Sequence, residues 1–234
     1  MKAMIIYSMM FFLPVTASCA SSPRTPKNDA DSLTYYDPSA RVDADNVPLD
    51  AAQHYFPVMA STDSIAPDSS ALFTRHNDVD AFSNKWYSRH LFALREPLLY
   101  NKPMPRDIVR FTWLRTFDNP VAVRMERSDS GIMLYWKRCN GNGGYKPGTL
   151  VADGSKPLTE AQWSRLQQLL DEASFRTPPA EPVTFGADGS QWIVEATGRD
   201  YYLLMDVWSG GRLRPVGLYL LSLTDMAFGQ SDIY

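Results

Sequence analysis

Arg124, Tyr135, Glu195, Tyr202 and Asp206 have the residue types and spacing that come closest to chemistry in this 234-residue chain. Glu195 and Asp206 lie in two alternating apolar runs, Trp192 to Thr197 and Asp200 to Trp208, on either side of Gly198-Arg199. If that dipeptide is a two-residue hairpin turn, Glu195 stands opposite Tyr202. Gln191, Ile193, Glu195, Tyr202, Leu204, Asp206 and Trp208 then share one face, and Trp192, Val194, Ala196, Tyr201, Leu203 and Met205 the other. A three-residue turn would exchange the faces. An earlier hairpin places Arg124 opposite Tyr135, again on the less apolar side. Carboxylates, arginine and tyrosine on one sheet face can hold a polar ligand or move protons. The plainer expectation, which the sequence favours, is an outer face that is solvated or closed by salt bridges to arginines such as Arg124. Glu195 and Asp206 are then not catalytic.

Other chemistry finds little support. His54, His76 and His90 are widely spaced, with no H-E-x-x-H and no Cys/His pairing, so no metal site is expected. Neither G-x-S-x-G nor S-x-x-K occurs, although a triad with scattered members stays open. The glycines at 141–144 lack the Lys-Ser/Thr ending of a phosphate loop and suit a loop using positive φ. Asp43-Ala44-Asp45-Asn46 lacks the glycine and distant glutamate of an EF-hand. Cys139 follows Lys137 and Arg138, which could lower its pKa, but no histidine is placed to serve it, and a buried cysteine is the expectation. No cofactor is expected. Lys and Arg number 23 against 26 Asp and Glu, a net charge of −3, which argues against a nucleic-acid partner.

The first twenty residues carry an address. Met1-Lys2 is a short positive start, Ala3 to Val15 an apolar stretch too short to span a bilayer, and Thr16-Ala17-Ser18-Cys19 a small-residue exit. That is the layout of a signal peptide over residues 1–19. A cysteine at the exit resembles the lipobox of bacterial lipoproteins, with Thr16 where an aliphatic residue is usual. The alternative is cleavage after Ala20, which discards Cys19. Lipidation of Cys19 is the expectation, since an unpaired exported cysteine is unusual. Ala20 after the cysteine resembles the pattern sent to the outer membrane, and several acyl chains anchor stably. Residues 20–50, rich in Ser, Pro, Asp and Asn, read as a flexible tether, and residues 51–234 as one domain.

The elements that must position these side chains are legible. A helix capped by Asn77 or Asp78 runs to about Leu94, with Val79, Phe82, Trp86 and Ala93 on a buried stripe and His90 hydrogen-bonded to backbone. Ile108 to Phe117, Val121 to Arg127 and Ile132 to Arg138 alternate as strands, and pairing Arg127 with Ile132 sets Met125 against Leu134 and Val123 against Trp136. Thr149 to Ala152 is a short fourth strand. Thr159 and Gln162 form a capping box, with Leu158 placed to staple onto Trp163, for a helix that buries Trp163, Leu166, Leu170 and Ala173. Gly217 to Ala227 reads as a last helix, with a strand as the alternative. The order specifies an α+β domain: an antiparallel sheet of five to six strands with two to three helices on one face.

Trp86-Tyr87-Ser88 through Leu94-Arg95-Glu96-Pro97, Phe111-Thr112-Trp113-Leu114-Arg115, Gly143-Gly144-Tyr145-Lys146-Pro147-Gly148 and Asp188-Gly189-Ser190-Gln191-Trp192 resemble a group of uncharacterised exported bacterial proteins. The resemblance spans about residues 86–227. It implies a single exported domain and no particular activity. With twelve tyrosines and six tryptophans, the expected role is that of an envelope-anchored periplasmic binding protein, an immunity-type inhibitor of a toxin being one version. Its partners would be the membrane, through the lipid, and a periplasmic protein. A hydrolase with a site near Glu195 and Asp206, or a structural lipoprotein of envelope assembly, are the alternatives. The expected location is the outer membrane facing the periplasm, or otherwise the soluble periplasm.

Overall fold

A computed structural model describes residues 39–57, 79–179, 186 and 188–234. The expected leader, Cys19, the first part of the expected tether, His76 and the expected helix caps Asn77 and Asp78 lie outside them. Six strands, β1 (Asp107–Arg115), β2 (Val121–Ser128), β3 (Gly131–Cys139), β4 (Leu150–Leu158), β5 (Ser190–Thr197) and β6 (Tyr202–Trp208), form one antiparallel sheet in the order β4-β3-β2-β1-β5-β6. With helices α1 (Ala81–Ala93), α2 (Glu160–Glu172) and α3 (Arg214–Ser222) the fold is α+β. Among the described residues no helix is long and apolar enough to cross a membrane.

The helices cover both faces of the sheet, not one. Val109, Phe111 and Trp113 of β1, Val123 and Met125 of β2 and Trp192 and Val194 of β5 pack under Trp163, Leu166 and Leu170 of α2 and Val216 and Leu220 of α3. On the other face Ile108, Leu114, Ile193 and Leu204 meet Tyr87 and Leu91 of α1, together with Tyr55, Phe56, Leu98 and Leu99. A helix on each side is why β1 and β5 are buried almost throughout. α3 approaches so closely that a Cβ on Gly217 would lie 2.4 Å from the Trp192 ring.

The first hairpin has the expected register, with Met125 opposite Leu134, Val123 opposite Trp136 and Arg124 opposite Tyr135. In the last hairpin Glu195 faces Leu204 and Tyr202 faces Thr197, so the pairing is two residues away from that of a two-residue turn. An even slip preserves the faces, and the expected face sets stand. β4 extends to Leu158, further than Ala152. Its Pro157 is tolerated because β4 is an edge strand. The last helix begins at Arg214 with proline in its first turn and stops at Ser222.

Two expectations are corrected. α1 is capped by Asp80, whose carboxylate accepts from Phe82 and Ser83 N–H, and it buries Asn84, Tyr87, Ser88 and Leu91. Phe82 is 76% exposed and Trp86 half-buried, so this part of the stripe read as buried faces outward, whereas Val79 is buried as expected. Residues 39–50, assigned by composition to the tether, are folded onto the domain. The Asn46 side chain is buried and donates to Leu98 O at 2.6 Å and to Asn101 at 3.0 Å, and Leu98 N–H donates to Asn46 O. Polar composition there serves hydrogen bonding to the body.

The capping box of α2 is present, with Thr159 Oγ1 accepting from Gln162 N–H and Gln162 Oε1 accepting from Thr159 N–H at 2.9 Å. Thr159→Ala is expected to lower stability by about 0.5–2 kcal/mol. The check is the urea midpoint, and an unchanged midpoint would show that this cap holds nothing.

Candidate functional site

The alternation of β1 sends Arg110 to the face opposite the α2/α3 core, between Arg124 of β2 and Glu195 of β5, its two cross-strand neighbours. α1 and residues 39–57 close this face, so its charges must neutralise one another. Arg110 Nε donates to Glu195 Oε2 at 2.7 Å, Nη2 lies 2.6 Å from the same oxygen, and Nη1 donates to Pro97 O at 2.6 Å. Tyr202 donates its hydroxyl to Glu195 Oε1 at 2.9 Å. Both Arg110 and Glu195 are 0% exposed.

The Glu96 carboxylate descends from the loop after α1 and meets three cations: Arg124 Nε at 3.0 Å, Lys137 Nζ at 3.5 Å and Arg110 Nη1 at 3.7 Å. Lys137 also donates to Arg95 O and Tyr55 to Glu96 O, which ties the loop to the sheet. Glu126 pairs with Arg106 and Arg124, and the Arg124 guanidinium lies 4.5 Å from the Tyr135 ring centre. Burial raises the Glu96 pKa, but Arg124, Lys137 and Arg110 outweigh it and hold the carboxyl below its ordinary range. For Glu195 burial wins over Arg110 and Tyr202, and its pKa is raised.

Arg124, Tyr135, Glu195 and Tyr202 thus belong to one network through Arg110 and Glu96. Asp206 stands apart. Half-buried opposite Ile193, it accepts from Tyr87 Oη at 3.0 Å and Gln191 Nε2 at 3.1 Å. Burial chiefly pushes it up to about 6, with Asp80 adding to the rise. Of the two expectations for this face, solvation is corrected, and closure by an arginine salt bridge is found for Glu195, with Arg110 instead of Arg124 as its partner. Glu195 is sealed against Arg110, and among the described residues Asp206 has no ion-pair partner. Glu195 and Asp206 share no bonding partner, so they do not form a paired acid and base. Sequence reasoning passed over Arg110 and Glu96; the signal was an arginine set between Val109 and Phe111 in the middle of a strand.

The remaining candidates are structural. His90 is buried between Trp86 O at 2.9 Å and Asn142 O at 3.1 Å, and burial lowers its pKa. Cys139 is buried, and desolvation pushes its thiol up to about 11 despite Lys137 and Arg138 nearby. The glycines of the 140–148 loop serve close approach more than positive φ, which only Gly148 adopts among them. A Cβ on Gly143 would lie 2.5 Å from Arg115 N. Among the described residues no group of His, Cys, Asp and Glu could hold a metal.

What the domain does present is an aromatic ridge. Phe82, Lys85, Trp86 and Arg89 recur at i, i+3, i+4 and i+7 along the outer side of α1. The Phe82 and Trp86 rings lie 6.4 Å apart, and Trp86 Nε1 donates to Gly143 O at 2.7 Å. The Arg89 guanidinium donates to Tyr145 O, and the Tyr145 ring lies 6.3 Å from that of Phe117. Phe82, Tyr145 and Phe117 are 76%, 59% and 55% exposed, and Lys85, Arg89 and Lys146 stand in solvent around them. No protein-family model matches the chain, and comparison with curated proteins finds no match.

Proposed function

We propose that this chain is an exported, envelope-anchored binding protein, held by lipid on Cys19, that meets a periplasmic protein through the ridge of α1 and the 140–148 loop. The observation that carries this reading is three large aromatic side chains more than half exposed in one connected surface, while the polar face of the sheet is closed by its own ion pairs. Exposed, rigidly backed aromatics supply contact area at little entropic cost. Lys85, Arg89 and Lys146 around them select a partner with an acidic rim. An immunity-type inhibitor that covers an imported toxin is the concrete version of such a role.

The test has two arms in the producing cell. Labelled palmitate should enter the natural chain and not Cys19→Ala. A photo-crosslinking residue at Phe82 should give one discrete protein adduct, lost with Lys85→Glu/Arg89→Glu, whereas the same residue at the exposed Ser164 of α2 should give none. Equal adducts at both positions, or adducts to lipid alone at Phe82, would remove the ridge as a protein-binding surface.

A further inference from the structure

Beyond the ridge, the other end of the sheet holds a groove already occupied by the chain itself. After α3 the chain turns back, and residues 228–234 lie across the ends of β1 and β5. Three successive backbone carbonyls there are each taken by a side chain of the body. Arg115 Nη1 donates to Asp232 O at 3.2 Å and Arg214 Nη2 to Ile233 O at 3.3 Å, while Ser190 Oγ and Trp192 Nε1 both donate to Tyr234 O. The Tyr234 hydroxyl donates to Asp118 Oδ2 at 2.6 Å, and the Phe228 ring meets Trp113 edge-on at 5.6 Å. Among the described residues no backbone–backbone hydrogen bond joins this segment to the body. Its bonds are those of a bound peptide: main-chain carbonyls held by side-chain donors of the body, with Tyr234 bonded to Asp118 and Phe228 packed on Trp113.

The segment does not satisfy the groove completely. Arg115 is 4% exposed and its carboxylate neighbour Asp118 is 4.0 Å away. Burial lowers the Arg115 pKa, and Asp118, with Tyr234 and Asp232 of the segment, offsets only part of that. Arg115 Nε and Trp113 Nε1 are both buried and, among the described residues, have no hydrogen-bond partner. Buried donors left unpaired cost on the order of 1–3 kcal/mol each, so an occupant that supplied acceptors to them would hold better than residues 228–234 do.

We propose that this groove is a peptide-binding site, filled in cis by residues 228–234. Its trans ligand is an extended peptide with an aromatic residue, a tyrosine six positions later, and an acidic side chain that reaches Arg115. The cis segment competes at high effective concentration, so free peptide binds only when that segment is weakened.

The experiment uses the full chain and a fluorescent peptide of the sequence AFGQSDIY, read by anisotropy. Tyr234→Ala, which loses the Asp118 contact, should bind this peptide saturably and at least tenfold more tightly than the natural chain. Adding Asp118→Ala should abolish the gain. Equal binding to both chains, or binding to neither with an unchanged melting temperature, overturns the proposal. Dimers of the Tyr234→Ala chain that the peptide cannot dissolve also overturn it, because the groove would then take a second copy. Should Tyr234→Ala not fold, hydrogen exchange of the natural chain decides: amides at 229–234 should exchange through local opening faster than those of β1. Exchange of both only through global unfolding overturns the proposal.

Discussion

Arg110→Met is expected to lower stability by about 3–5 kcal/mol, the loss typical when one partner of a buried ion pair is removed. The methionine fills much of the arginine's volume, so the loss is electrostatic. Among the described residues it leaves Glu195 with the Tyr202 hydroxyl as its one remaining side-chain donor, and Pro97 O without Arg110. Burial already raises the Glu195 pKa with the guanidinium present, so the variant holds this carboxyl protonated. Stability should then fall further with rising pH. Arg110→Met/Glu195→Met should recover part of the loss, because two apolar side chains in a dry site need no partner, although Pro97 O and the Tyr202 hydroxyl still lose their bonds to the pair. Urea unfolding of both variants checks this. A single variant costing under about 1 kcal/mol would show that water reaches the pair, and with it that this face is open.

That pair marks where the sequence stops being readable. Period-two alternation in Val121–Arg127 and Ile132–Arg138 and a four-residue link are local facts, and they set the register of β2 against β3 correctly. The Thr159–Gln162 box is equally local and is found as written. Arg110 meets Glu195 only because β1 pairs with β5, across 85 residues of sequence. Nothing within either strand announces that partner. The same non-local step explains α1: helical spacing was right for Phe82 and Trp86, but which stripe is buried depends on Tyr87 finding Asp206, 119 residues away. Hydrophobicity favoured the Phe-Trp stripe, whereas the other side of α1 finds Asp206 of the sheet for Tyr87, Phe56 O for Asn84 and Tyr55 N–H for Ser88. The Glu195 and Asp206 face was legible as a face and not as a buried one. α1 and residues 39–57 cover it, and the polar composition of residues 39–50 resembles linker until Asn46 is seen holding Leu98.

Asp206→Asn is expected to stabilise the protein at pH 8 by up to about 3 kcal/mol and to leave it unchanged at pH 4. Burial raises this carboxyl from 3.8 to about 6 in the folded chain, Tyr87 and Gln191 opposing and Asp80 assisting. Between pH 3.8 and about 6 the folded state therefore holds a proton that the unfolded state has released. The contribution to stability is fully present below about pH 4, falls as pH rises through 6, and is gone above that. A rise from 3.8 to about 6 corresponds to about 3 kcal/mol. Asparagine is neutral at every pH and its amide oxygen can still accept from Tyr87 and Gln191, so it removes the penalty and keeps the bonds. Glu195 and His90 are also shifted, but the difference between the two chains cancels their titrations. Unfolding free energies of both at pH 4 and pH 8 give the test, and an equal difference at the two values would assign it to packing instead of charge. The gain on acidification is in global stability: the Tyr87–Asp206 bond, which fastens α1 to β6, favours the charged carboxylate and weakens when the carboxyl is protonated, so it does not tighten the seat of Phe82 and Trp86.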